Sequence, residues 1–185
     1  MPFKKVIQNL TFASLATLPL SVFAGEYLPA QASSSFEQAP EVSIYKAKQP
    51  FPGILTGGQP TQSELEQAKK LGYKTIINLR MPNEMTEWNE ASKVQSLDMK
   101  YVSIPVSSRD TINSINSDKM ISILQNKSNY PVMIHCGSGN RVGALFSVDA
   151  FFQKSLSQED ALAIGRQAGM TKLEPLVTSI FNQAN

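Results

Sequence analysis

The chain is poor in the residues that build covalent and metal scaffolds. Its 185 residues hold one cysteine, one histidine and one tryptophan. A single cysteine excludes an internal disulfide framework. One cysteine with one histidine also argues against a zinc site made from these two residue types, and no metal or other cofactor is expected. Charge of one sign is scarce as well. Seventeen basic side chains face fifteen acidic ones, a formal charge of +2, too small for the electrostatic footprint of a nucleic-acid binder. No internal repeat is visible, which excludes solenoids and propellers. The one long apolar run, Leu10 to Phe23, is shorter than the roughly 20 residues a membrane-spanning helix needs.

That run lies in a recognisable context. Lys4 and Lys5 form a positive start, and Val22-Phe23-Ala24 places a small residue where a signal peptidase cuts. Residues 1–24 therefore read as a secretory signal peptide, and the protein as exported, periplasmic in a diderm bacterium, with no stable membrane insertion after cleavage. Removing them leaves fifteen basic against fifteen acidic residues. Residues 25–41 have no apolar period and read as a linker or loosely ordered arm.

From residue 42 to 185, short apolar runs alternate with helical periods. Strands are expected at Val42–Tyr45, Ile54–Thr56, Thr75–Leu79, Tyr101–Val106 and Pro131–Ile134. Helices are expected from Thr61, where T-x-x-E forms a capping box with Glu64, to Leu71 before Gly72. Others are expected over Glu84–Leu97, with Met85 and Trp88 in the core, from Ser117 with Met120, Ile121 and Leu124 inward, and over Arg141–Lys154. Phe146, Phe151 and Phe152 read as packing residues of this last helix. Two more helices should open at Ser157 (box to Asp160) and Thr171 (box to Glu174). This alternation predicts a single α/β domain with a mostly parallel sheet flanked by helices. Ligands in such sheets bind beyond the carboxyl ends of the strands.

Beyond Ile134 the chain reads His135-Cys136-Gly137-Ser138-Gly139-Asn140-Arg141-Val142-Gly143. Two glycines let the backbone turn its N–H groups inward as an anion nest. A helix N-terminus adds positive potential, and Arg141 supplies a planar fork for two oxygens of a tetrahedral anion. The same field favours the thiolate of Cys136, the form that acts as nucleophile. A thiolate beneath a cradled phosphate can attack phosphorus and form phosphocysteine.

HCGSGNR after an apolar strand resembles the cysteine-dependent tyrosine and dual-specificity phosphatases. More narrowly, it resembles a bacterial C-x4-R subgroup related to the beta-lactamase-hydrolase-like, phosphatase-like proteins. TGGQPTQSELEQAKKLGYKTIINLR (56–80) and MKYVSIPV (99–106) resemble the segments these proteins carry before the signature. The resemblance implies a cysteine-phosphatase fold and Cys136 as nucleophile. It also implies Arg141 as phosphate ligand and Gly137, Ser138, Gly139 and Asn140 as the phosphate-binding loop, with His135 in support. It implies a phosphorylated small molecule or phosphoprotein as substrate. The general acid expected from the family is an aspartate on a loop after the preceding strand. Asp110 is the best positional match, Asp118 the second, and Asp98 lies at the wrong end of its strand. Arg80 and Arg109 are further pocket-lining candidates.

Two departures from the family pattern stand out. Four residues separate Cys136 from Arg141, not five, and Val142 replaces the usual Ser or Thr. Both point to slow turnover or to anion binding without turnover. The loop also resembles C-x-S-G-N-R loops of rhodanese-like sulfurtransferases, which would carry a persulfide on Cys136. A non-catalytic anion-binding module is the other alternative. Nothing in the sequence sets the oligomeric state.

Overall fold

The computed structural model of the chain describes residues 38–84, 87–107 and 109–184. The expected signal peptide and most of the expected linker lie outside the described residues. Five strands form one sheet: β1 (Lys48–Phe51), β2 (Ile54–Gly57), β3 (Thr75–Asn78), β4 (Lys100–Ser103) and β5 (Val132–His135). Their order is β1-β2-β5-β3-β4, with β1 antiparallel and the others parallel. Six helices flank it: α1 (Gln62–Lys70), α2 (Glu90–Ser96), α3 (Ser114–Leu124), α4 (Asn140–Phe152), α5 (Gln158–Gln167) and α6 (Glu174–Ala184).

The three inner strands β2, β3 and β5 are buried at every position, as parallel strands covered on both faces must be. Their alternating side chains feed two cores. Ile54, Ile77 and Ile134 face α3, α4, α5 and α6. Leu55, Ile76 and Met133 face α1 and α2, joined by Val42 and Ile44. Tyr130 and Phe146 are among the largest fully buried side chains.

Of the three expected capping boxes only the one at Thr61 is reciprocal; Ser157 caps its helix, but Asp160 Oδ2 accepts from the Ser157 hydroxyl rather than from its backbone N–H. Thr61 accepts from Glu64 N while Glu64 Oε2 accepts from Thr61 N, and Ser157 accepts from Asp160 N. Thr171 does not cap α6. Its N–H donates to Asn140 Oδ1, and Glu174 pairs with Arg166 instead. Val42–Tyr45 is not a strand. Ile44 N turns back to Val42 O, the chain bends at Tyr45–Lys46, and Lys46 takes a φ of +54°. The strand that pairs with β2 comes later, at Lys48–Phe51. The helix expected from Glu84 starts only at Glu90, because Asn89 caps it by accepting from Ser92 N. Pro82–Glu84 forms a separate 3-10 turn, and Met85 lies outside the described residues. Trp88 is half-buried at the edge of the second core rather than inside it. The third helix begins at Ser114 rather than Ser117, since Asn113 accepts from Asn116 N. Among the packing residues of α4, Phe146 is fully buried, but Phe152 is 38% exposed.

One feature of this topology positions the site. β3 and β5 are neighbours, yet the chain leaves β3 toward the face that holds α2 and leaves β5 toward the face that holds α4. Connections that diverge from adjacent parallel strands open a crevice at their carboxyl ends.

Candidate active site

Residues 136–139 span that crevice. Cys136 N donates to Gly57 O at 3.3 Å, and Ser138 forms an isolated bridge with Gly58, so the loop is tied to the β2 exit on one side. Gly139 caps α4 with φ +82°, a left-handed conformation that glycine adopts without strain. The Cys136 side chain is buried, and its Sγ accepts from Ser138 N at 3.5 Å. The thiol therefore lies in the bowl formed by the loop amides.

Arg141 occupies the first turn of α4 and folds back over the loop. A Cβ on Gly137 would lie 3.5 Å from its Nη2. Nη1 donates to Glu84 Oε1 (2.6 Å) and Val106 O (2.7 Å), and Nη2 donates to Glu84 Oε2 (2.7 Å). A guanidinium has five N–H bonds. These contacts use both hydrogens of Nη1 and one of Nη2. The pair left over, Nε–H and the second Nη2–H, is the side-on fork that fits two oxygens of a tetrahedral anion. Arg141 is held above its ordinary pKa, chiefly by the Glu84 hydrogen bond and further by the Cys136 sulfur beside it. Thiol, loop amides and the Nε/Nη2 side of Arg141 thus converge on one point, the arrangement of an anion cradle with a nucleophile at its base.

Residues 34–178 match the family described as DSP-PTPase phosphatase fused to NAD+ kinase. The chain belongs to that family. It is a phosphatase of the cysteine-dependent class. A protein of the yeast Meyerozyma guilliermondii that bears the tyrosine-protein phosphatase name OCA1 is 23% identical over 137 residues, covering 67% of this chain and 74% of its own. The core catalytic domain of the PP-IP phosphatase SIW14 of S. cerevisiae shares the fold at a TM-score of 0.59 and 18% identity, over 79% of this chain and 89% of that one. TpbA of P. aeruginosa, solved in complex with pTyr, shares it at 0.56 and 16%, over 80% and 89%. The sulfurtransferase alternative is not favoured, since the family and these relatives are phosphatases.

Two carboxylates of the phosphatase escaped sequence reading. Glu84 grips Arg141 from the turn after β3 and also accepts from Met81 N at 2.8 Å. Its pKa falls to about 2, mainly through the Arg141 hydrogen bond. The second is Glu90, at the start of α2, which is buried. Its Oε1 lies 2.7 Å from His135 Nε2, with the two side chains 2% and 0% exposed. Its Oε2 accepts from Asn78 Nδ2 (2.9 Å) and Gln59 Nε2 (3.2 Å). Gln59 Oε1 in turn accepts from Arg80 Nη1 at 2.7 Å, and Arg80 Nη2 donates to Glu84 O. A run of polar contacts therefore links His135, Glu90, Gln59, Arg80, Glu84 and Arg141, its Arg80–Glu84 hydrogen bond made to the Glu84 carbonyl. Spacing along the chain carries no signal for this, because the contacts join the exits of different strands.

The remaining candidates are dispersed. Asp110 sits exposed on the 3-10 turn Arg109–Thr111, and its carbonyl accepts from Asn113 Nδ2. It follows Val106, whose carbonyl touches Arg141, and borders a separate surface depression of about 280 Å³ beside Phe152 and Ile180. Arg109 does not reach the cradle. It donates to Ser179 Oγ on α6 at 2.9 Å. Asp118 lies on α3 and accepts from Gln153, the C-cap of α4, and Asp98 precedes β4 at the amino end of the sheet. Arg80 lies in that run of polar contacts. The Asn140 side chain faces away from the bowl, and its Oδ1 accepts from Thr171 N and Leu173 N. The residue after the arginine, Val142, carries no hydroxyl and is fully buried. Among the described residues no three His, Cys, Asp or Glu side chains gather as a metal-ligand set.

Proposed function

We propose that Cys136 is the nucleophile of phosphomonoester hydrolysis and Arg141 its phosphate ligand. The observation that carries this reading is the Nε/Nη2 side of Arg141, oriented by Glu84 and Val106 O and turned toward the buried sulfur. The phosphoryl oxygens sit on the amides of residues 137–140 and on that side of the guanidinium. The thiolate attacks phosphorus, the P–O bond to the leaving group breaks, and the leaving oxygen takes a proton from a general acid. Water then cleaves the S–P bond, releasing phosphate and regenerating the thiol. Asp110 is proposed as that acid, because it follows the β4 exit that touches Arg141. Glu84 is unsuited to the role. A carboxyl with a pKa of about 2 has no proton to give near neutral pH.

The organic part of the substrate meets Tyr45. A Cβ on Gly58 would lie 2.8 Å from Tyr45 Cδ1 and 3.0 Å from Gly137 O, so the ring borders the cradle rim, where it is 60% exposed. The apolar N-terminal run supports action outside the cytoplasm, after export and removal of residues 1–24. N-terminal sequencing of the protein recovered from its native host tests that cut.

Wild-type protein should release phosphate from p-nitrophenyl phosphate, and quenched turnover should show phosphate on Cys136 by mass spectrometry. Cys136→Ser should release none, and Asp110→Asn should lose activity more than tenfold on substrates with poor leaving groups. Equal phosphate release by wild type and Cys136→Ser would remove the thiol from the mechanism. Thiocyanate formation from thiosulfate and cyanide without phosphate release would replace phosphatase by sulfurtransferase.

A further inference from the structure

A cavity of about 460 Å³ opens at the carboxyl ends of β3 and β4, on the α2 side of the sheet. Arg80, Met81, Trp88, Asn78, Tyr101 and Ser103 line it. Trp88 and Tyr101 are half-buried and pack against the edge of the second core. The Arg80 guanidinium forms the wall toward the catalytic cradle. Its Nε lies 3.6 Å from Glu84 Oε2, and Glu84 holds Arg141. Cavity and cradle therefore share one wall, two side chains thick, within a single crevice. Aromatic rings and a guanidinium lining a concave space suit a planar aromatic group, through ring contacts and contact with the cation.

We propose that this cavity is a second subsite of the active site, which takes a planar aromatic ring tethered to the phosphoryl group in the cradle. The proposal rests on the phosphatase reading of the cradle and adds to it what the substrate carries beyond its phosphate. The ring is not the one that bears the phosphate directly, since the Arg80–Glu84 wall stands between. It is a ring one linker away, such as a nucleobase or an aromatic side chain near a phosphorylated residue. Asn78 is already committed, accepting from Arg80 N and donating to Glu90 and Tyr101 Oη, so its amide offers the ring no hydrogen bond of its own.

Matched substrate pairs test this and separate the two sources. One pair is adenosine 5′-monophosphate against ribose 5-phosphate. The other is a phosphoserine peptide with phenylalanine two residues from the phosphate against the same peptide with alanine there. The full chain should favour the ring-bearing member of at least one pair by about tenfold in kcat/KM, the scale of one ring contact. The pair that shows the preference names the source. Trp88→Ala should bring that pair to parity while turnover of its ring-free member persists. Since Trp88 also covers core, Ser103→Phe provides a second variant, filling the cavity from an exposed strand position without removing packing. It should abolish the preference equally. No preference in either pair, or a preference that survives Ser103→Phe, would overturn the subsite.

Trp88 is the only tryptophan of the chain, so its fluorescence reports occupancy without turnover. In Cys136→Ser, the favoured ring-bearing ligand should quench it at concentrations where the ring-free partner does not. If no substrate is turned over by wild type, the phosphatase reading fails and quenching alone decides the subsite. If turnover depends on Cys136 but neither pair is discriminated, the subsite fails and the phosphatase reading stands.

Discussion

At the residue scale, the site depends on Glu84 as much as on the loop. Arg141 has a long, rotatable side chain, and a fork that wanders loses its value for two-point recognition. Glu84→Gln removes the charged partner from both Nη groups. We expect KM for p-nitrophenyl phosphate to rise roughly tenfold, with a smaller change in kcat, measured by initial rates. The same pair has a pH signature. The Glu84 carboxyl is depressed from 4.5 to about 2, so its contribution to stability is present above the ordinary value and is lost as pH falls from there through about 2. Between these limits, acid titration of wild type should lose stability faster than titration of Glu84→Gln. Parallel acid curves for the two proteins would separate Glu84 from the stability of the fold. Cys136, Arg141 and the loop between them were legible in the sequence because all their chemistry is packed into six consecutive positions. Glu84 was not, because 57 residues separate it from the arginine it holds and its own segment carries helical spacing that the fold does not use. Glu90 was hidden for the same reason, since its partner His135 belongs to another strand's exit.

At the scale of elements, the packing of α4 on α5 decides where the loop can sit. A Cβ on Gly143 would lie 2.3 Å from both Gly165 O and Met170 N, which are backbone atoms that cannot rotate aside. Gly143→Ala should destabilise the protein by about 1–3 kcal/mol, read as a shift of the denaturant midpoint. Because α4 carries Arg141, a residual loss of activity in the folded fraction should accompany it. The inner strands were readable from short apolar runs closed by turn residues. Element starts were less so. Asn89 and Asn113 cap α2 and α3 through side-chain acceptors, and neither stands out beside the serines and acids around it. The strand at Lys48–Phe51 was missed because Gln49 and Pro50 break the apolar pattern that marks a strand. The segment expected in its place buries Val42 and Ile44 without joining the sheet.

At the scale of the whole molecule, alternation along the chain was enough to give a mostly parallel sheet with helices on both faces, but not the order of its strands. Order depends on which hydrophobic face each crossover covers. It is this order that places the β3 exit, with Arg80 and Glu84, beside the β5 exit, with Cys136. The composition also constrains redox behaviour. With one thiol in the chain, an oxidised Cys136 has no internal cysteine to reduce it. Activity should fall on treatment with peroxide and return with added dithiothreitol if oxidation stops at the sulfenic acid. Full activity after peroxide would contradict the thiolate mechanism.

The ties that bind the loop to its surroundings have a thermodynamic consequence. Ser138 bridges to Gly58, Cys136 N is bonded to Gly57 O, and Asn140 fastens the α4 start to the segment before α6. The loop has therefore lost its conformational freedom during folding, before any ligand arrives. Oxyanion binding should then proceed with little ordering entropy to overcome, and calorimetry with inorganic phosphate should show an association whose entropy cost is small for a loop of this length.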